Sequence, residues 1–178
     1  LHAAFFRHIH SFFHGQGFLE VDTPIRQPVY IPESNIVPIA SEGQYLQTSP
    51  ELCMKRLLAA GSGDIFQICH CFRKEERGRL HLEEFQMLEW YRIDADYTKL
   101  MDDCEALFRF LFNGMQKVVT VGKSADSQIF EDIAAAGDWL RISVTDAFDR
   151  YSPISLEQAL SQDAFDELLV EYIEPRLG

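Results

Sequence analysis

A chain of 178 residues that is 47% hydrophobic and 25% charged, with 14 phenylalanines, has the composition of a soluble globular protein with a substantial core, and a single domain is expected. Its net charge of −12 argues against a broad phosphate-tracking surface and against non-specific nucleic-acid binding, so any polyanion contact should be local. No apolar run approaches the roughly 18 residues of a membrane span, His and Arg break up any signal-peptide layout, and four cysteines are too few for a disulfide framework; a cytoplasmic protein with free thiols is the expectation.

Leu1, Phe5, Ile9, Phe12 and Phe13 recur at helical spacing, and Gly15 and Gly17 follow as stop signals, which predicts an amphipathic helix over residues 1–14. Phe18 to Val21 reads as a short strand that cannot continue past Pro24, and residues 24–44 read as extended segments and turns. Residues 45–47 form the next predicted strand. Ser49 is the expected N-cap and Pro50 the first residue of a helix closed by Gly61. Residues 64–72 and 83–93 are rich in β-branched and aromatic side chains on either side of a charged loop, the pattern of an antiparallel hairpin. Period two puts Gln67, Cys69, Cys71 and Arg73 on one face of its first strand, and Phe85, Met87, Glu89 and Tyr91 on one face of its second, where both sets can line one cleft. The strongest helical signal runs from Tyr97 to Met115, with Leu100, Met101, Cys104, Leu107, Phe108, Leu111 and Phe112 in one stripe behind Asp96 as cap. Residues 119–138 read as loop with one helical turn around Ile129–Ala135. Three short helices follow at about 144–151, 156–161 and 164–173, headed by Ser143, Ser155 and Asp163.

Several side chains carry chemistry that packing alone does not require. Glu89 stands in the apolar run "MLEWY", and burying a carboxylate is costly unless it is paired, so it should meet either a cation of this chain or a ligand ammonium. Glu51, in the first turn after Ser49-Pro50, complements the helix dipole or serves a ligand. Arg73, Lys74, Arg77 and Arg79, with His81 close behind, form a cationic cluster that suits one small anion or a solvated hairpin tip, and Arg73 at the strand edge is placed for bidentate phosphate contacts. Walker A, a Rossmann glycine fingerprint, a nucleophile elbow and H-E-x-x-H are all absent, so phosphate would be handled by arginine and not by a glycine loop. His10 and His14 have the i, i+4 spacing of a helical metal pair, but the sequence places no third ligand nearby, and they are expected to face solvent. Cys69 and Cys71 match no common zinc or redox spacing and are expected to be packing residues.

Taken together, these segments resemble a known family. "GFLEVDTP" (17–24) resembles motif 1 of the class II aminoacyl-tRNA synthetases, and "FRKEERGRLHLEEFQMLEWYR" (72–92) resembles their motif 2. Between them, "TSPELCMKRLL" (48–58) resembles the amino-acid-binding segment of the lysyl subgroup, so three motifs stand in order within residues 1 to about 112. Within that subgroup, "TSPE", "EERGR-H" before "MLEWYR", and the tail segments "VTDAFDRY" and "FDELLVEYIEPRLG" are most similar to the truncated lysyl-type paralogues that attach β-lysine to a lysine of elongation factor P.

The resemblance implies an α+β fold, a class II synthetase-like antiparallel sheet flanked by helices. Residues 1–178 would be the N-terminal part of the catalytic domain, with motif 1 at about 15–28 and motif 2 at about 64–93. It further implies an ATP-dependent ligase in which Arg73 binds the α-phosphate, Lys74 and Glu75 lie at the nucleotide with Glu75 on the adenine, His81 approaches the terminal phosphates and Phe85 stacks on the adenine ring. Glu51, with Ser49 nearby, would hold the backbone-proximal amine of lysine or β-lysine, and Glu89 and Tyr91 its side-chain ammonium. The acceptor would be elongation factor P or, alternatively, lysine tRNA, and a homodimer would form through motif 1. Motif 3 and the acidic ligands for Mg2+ have no counterpart in these residues, so this stretch alone is expected to be inactive. The chain departs from the family pattern at Lys74, Leu82 and Glu83. A paralogue that binds lysine or dimerises without catalysis is the non-enzymatic alternative.

Overall fold

A computed structural model describes residues 2–79, 81–119 and 139–177. The helical turn expected around Ile129–Ala135 lies outside the described residues. Contacts divide the chain into two compact units, 1–135 and 136–178, where composition alone suggested one.

In the first unit, helix α1 (His2–Gly15) buries Ala4, Ile9, Phe12 and Phe13, while Phe5 is turned to solvent, so the core stripe is rotated from the one the spacing suggested. Phe13 is fully buried. Its ring stacks on Phe66 at 4.7 Å and meets Phe18 edge-on at 5.1 Å. Strand β1 (Leu19–Glu20) leaves this helix beside the central strand β5 (Ile65–Phe72), which pairs antiparallel with β6 (Glu84–Tyr91) from Ile65–Tyr91 to Phe72–Glu84. The predicted hairpin is present in full. The fold is α+β, but β1 runs parallel to β5, with Leu19 opposite Ile65, so this sheet is mixed in place of the purely antiparallel one expected. A second sheet, β2 (Arg26–Gln27), β4 (Gln44–Leu46) and β3 (Ala40–Ser41) in that order, is antiparallel. Two of its strands lie inside the stretch read as extended segments and turns, because two residues are too short to show a period.

Helix α2 (Glu51–Ala59) starts one residue later than expected, with Pro50 as its boundary. Ser49 still accepts the Glu51 N–H, at 3.0 Å. Helix α3 (Tyr97–Val119) begins at the predicted cap, where Asp96 Oδ1 accepts the N–H groups of Thr98 and Lys99 at 3.0 and 3.3 Å. It buries Leu107, Leu111, Phe112 and Met115. One polar network ties this helix to the hairpin: Arg92 donates twice to Asp103, at 2.6 and 3.0 Å, and once to Asp64 at 2.8 Å, with its guanidinium 4.4 Å from the centre of the Phe18 ring.

The second unit packs α4 (Val144–Tyr151), α5 (Leu156–Ser161), α6 (Phe165–Leu168) and α7 (Glu174–Leu177) around Ala147, Phe148, Ala159 and Ile173. Ser143 and Ser155 cap α4 and α5 as predicted, Ser155 through a reciprocal capping box with Gln158. The third helix differs. Asp163 has a φ of 55° and caps nothing, and the expected 164–173 helix becomes a short α-turn followed by a π-turn over Leu169–Ile173. Among the described residues no helix is long and apolar enough to cross a membrane.

Candidate active site

The hairpin's pairing register creates the site. Gln67 stands opposite Glu89, Cys69 opposite Met87 and Cys71 opposite Phe85, so the two predicted faces are one surface. The segment 47–49 is held to this hairpin by three hydrogen bonds: Phe72 N–H to the Gln47 carbonyl at 2.9 Å, Gln47 Nε2 to the His70 carbonyl at 2.8 Å, and Arg73 Nε to the Thr48 carbonyl at 3.3 Å. Ser49 is thereby brought forty residues along the chain to Glu89.

At this end the geometry is tight. Ser49 Oγ donates to Glu89 Oε2 at 2.8 Å, and Tyr91 O–H donates to Glu89 Oε1 at 2.6 Å. Burial, reinforced by the Glu89 carboxylate, holds the Tyr91 phenol well above its usual range, so it stays a donor. Among the described residues no cation lies within salt-bridge distance of Glu89, and both of its partners are neutral hydroxyls. Glu51 pairs with Lys55 one turn along α2. Gln67, 2% exposed, has neither amide atom hydrogen-bonded among the described residues. Its place on the cleft face was legible from period two, but its pairing opposite Glu89 and the idle amide were not.

At the other end, the Arg73 guanidinium lies 5.2 Å from the centre of the Phe85 ring. These two, with Glu76, His81 and Leu82, line a cavity of about 200 Å³. Lys74 and Glu75 are not in it. They pair with each other at 3.3 Å and line an adjacent recess of about 280 Å³ with Val37 and Arg77, and His81 borders both spaces. Of the five residues expected at the nucleotide, three are together and two stand next door.

Glu83, a departure from the family pattern, has a definite job here. It accepts the Glu75 N–H at 2.9 Å and an Arg77 N–H at 2.7 Å. Glu75 has a φ of 68°, a left-handed conformation that a non-glycine residue holds only when its surroundings fix it, and the Glu83 carboxylate supplies part of that fixing. Cys69 and Cys71 are buried with their sulfurs 3.8 Å apart, as packing residues would be, and all four cysteines are free. His10 and His14 do have a third neighbour, contrary to the sequence reading: Glu20 lies 3.1 Å from a ring nitrogen of each. The sequence could not show this, because it depends on how β1 turns back along α1.

The family described as tRNA synthetases class II (D, K and N) matches residues 1–169. The chain belongs to this family. Among its curated relatives are the elongation factor P–(R)-β-lysine ligases of Sodalis glossinidius, 45% identical over 117 residues, Edwardsiella ictaluri, 46% over 111, and Photobacterium profundum, 44% over 119. Those alignments cover 60%, 57% and 61% of this chain and 36%, 34% and 37% of the respective relatives. The chain therefore spans about a third of the length of the ligases it matches. The hairpin and the 48–58 segment lie within the matched region.

Proposed function

We propose that the protein containing these residues activates β-lysine or lysine as an aminoacyl-adenylate with ATP and transfers it to a lysine of elongation factor P. One observation carries the reading: a half-buried Glu89 is oriented by two neutral hydroxyl donors and has no cation within salt-bridge distance among the described residues, Lys55 feeling its charge only from farther off while paired with Glu51. Such a carboxylate is prepared for an ammonium ligand, whose charge would offset the cost of burying it. The names of the relatives supply the substrate class, and membership of a synthetase family supplies the adenylate chemistry.

In this reading Glu89 and Tyr91 take the side-chain ammonium, and Glu51 and Ser49 the second amine. Arg73 neutralises charge on the α-phosphate, with a purine against Phe85 and His81 toward the outer phosphates. The terminal guanidinium nitrogens of Arg73 have no hydrogen-bond partner among the described residues, which suits that role. Lys74 and Glu75 would reach the nucleotide only from the neighbouring recess. The substrate carboxylate oxygen attacks the α-phosphorus, the bond to pyrophosphate breaks, and the adenylate forms. The acceptor lysine's amine then attacks the carbonyl carbon, AMP leaves, and an amide results.

Magnesium is not assigned to these residues. Four carboxylates on this face are engaged, Glu75 with Lys74, Glu83 with Arg77, Glu51 with Lys55, and Glu89 with Ser49 and Tyr91, which leaves Glu76 as a single carboxylate at the Arg73 cavity. They do not form an oxygen cluster open to a hard cation.

The same proposal places the protein in the cytoplasm, consistent with four free thiols, and as a homodimer through the segment around Pro24, which exposes Ile25, Val29 and Tyr30 and where Pro24, Pro28 and Val29 line an apolar groove of about 530 Å³. It treats residues 1–178 as the N-terminal part of a catalytic domain. The test is isotope exchange of pyrophosphate into ATP by the intact protein, followed by transfer to purified elongation factor P. Exchange that depends on (R)-β-lysine and labels the factor is expected. Charging of lysine tRNA in its place would overturn the acceptor, and lysine binding without exchange would overturn the enzyme.

A further inference from the structure

Outside the cleft, three potential metal donors converge on the first helix, and nothing in the ligase reading uses them. His10 Nδ1 and His14 Nε2 each lie 3.1 Å from the same oxygen of Glu20, and the three donor atoms all fall within 4.8 Å of one another. We propose that His10, His14 and Glu20 form a binding site for a divalent transition metal of the zinc class.

The separations carry the argument. Ligand bonds of about 2.0–2.1 Å in a tetrahedral site put neighbouring donors roughly 3.3–3.4 Å apart, close to both His–Glu distances, so a small rotation of the side chains admits an ion. Two imidazoles and one carboxylate suit zinc and its neighbours better than magnesium or calcium, which take all-oxygen shells.

The donors are also held from behind. The His10 and His14 rings are roughly parallel, at 22° with centroids 6.3 Å apart, and each meets the buried Phe66 ring edge-on, at 5.9 and 5.3 Å. Glu20 is fixed by the pairing of β1 with that same Phe66. Sites on paired strands and packed helices are the ones precise enough to ligate. Side-chain exposures of 36%, 54% and 39% leave the fourth position open to water and give the ion a way in. Bound metal would clamp α1 to β1.

An ordinary His–Glu–His ion pair predicts no metal affinity, so the two readings separate cleanly. Intact protein stripped with chelator is titrated with zinc chloride by calorimetry, and its melting temperature is followed in parallel. One site and a chelator-reversible rise in Tm are expected. His14→Lys preserves the ion pair with Glu20 but replaces a good ligand, while Glu20→Gln removes the carboxylate; each should weaken zinc binding by at least about tenfold, and His70→Gln should not. The cysteines are untouched in all three variants. Zinc affinity unchanged in His14→Lys and Glu20→Gln, or no zinc-dependent heat from the unaltered protein at submillimolar zinc, overturns the site.

Discussion

The two ends of the hairpin cleft are built on different principles. At the Glu89 end the polar side chains stand on anchored backbone: Ser49 on a segment hydrogen-bonded to the hairpin, Glu89 and Tyr91 on the strand ladder, and Arg92 just beyond, held by two aspartates. At the Arg73 end, Phe85 stands on a strand, but Arg73 and His81 belong to a loop whose ion pairs are largely exposed. A single ammonium needs one fixed carboxylate, so rigidity is selective there. A triphosphate is long and its charge moves during reaction, so a loop that can follow it serves better. The contrast predicts that damage at the first end costs stability or substrate recognition outright, while damage at the second shifts nucleotide handling.

The largest effect should come from the anchor beneath the rigid end. The Arg92 side chain is 13% exposed and Asp103 4%, so Arg92→Ala strips the buried Asp103 carboxylate of both its hydrogen bonds and leaves it only the half-exposed Lys99 ammonium at 3.6 Å, while Asp64 loses its own ion pair. The expected loss is about 3–5 kcal/mol of unfolding free energy, read by urea or thermal denaturation. A loss below about 1 kcal/mol would mean that this end is no better fixed than a surface ion pair.

How far the sequence foretold this contrast depends on the length of the pattern involved. The hairpin, α1 and α3 were readable because eight or more residues repeat a period, and the shared face of Gln67, Glu89 and Tyr91 followed from period two. Ser49, Arg73, Phe85 and Glu89 were singled out by cost arguments and by family resemblance, and the structure brings Ser49 to Glu89 and Arg73 to Phe85. The parallel placement of β1, the small second sheet and the Arg92 network were hidden, since each depends on where distant segments meet. Glu83 stood out in the sequence only as a departure from the family pattern, because its contacts are to Arg77 and the Glu75 amide, whose convergence no spacing rule contains.

A second, smaller break tests the recognition that the rigid end is proposed to perform. Glu89→Gln keeps the shape and one acceptor but removes the charge, so it should leave the fold intact. Lysine-dependent pyrophosphate exchange in the intact protein should fall by about 30-fold or more, the equivalent of about 2 kcal/mol for a desolvated charge pair. ATP affinity should not change. Equal losses for lysine and for ATP would erase the distinction between the ends.

The smallest effect belongs to the loop, and its sign follows from Glu83. Arg77 first, and then the Glu75 N–H, hold the Glu83 carboxyl below the ordinary glutamate range in the folded chain. A group whose folded pKa is depressed contributes its stabilisation above the unfolded value, about 4.3, and loses it as pH falls through the folded value. The clamp should therefore be complete at pH 5–8 and open only in stronger acid. Glu83→Gln should imitate the acid state at neutral pH: faster hydrogen exchange at the Glu75 amide and a KM for ATP raised a few-fold, with the KM for lysine and the melting temperature nearly unchanged. If instead lysine recognition suffers as much as nucleotide binding, the loop and the Glu89 end move as one body, and the division of labour drawn here is absent.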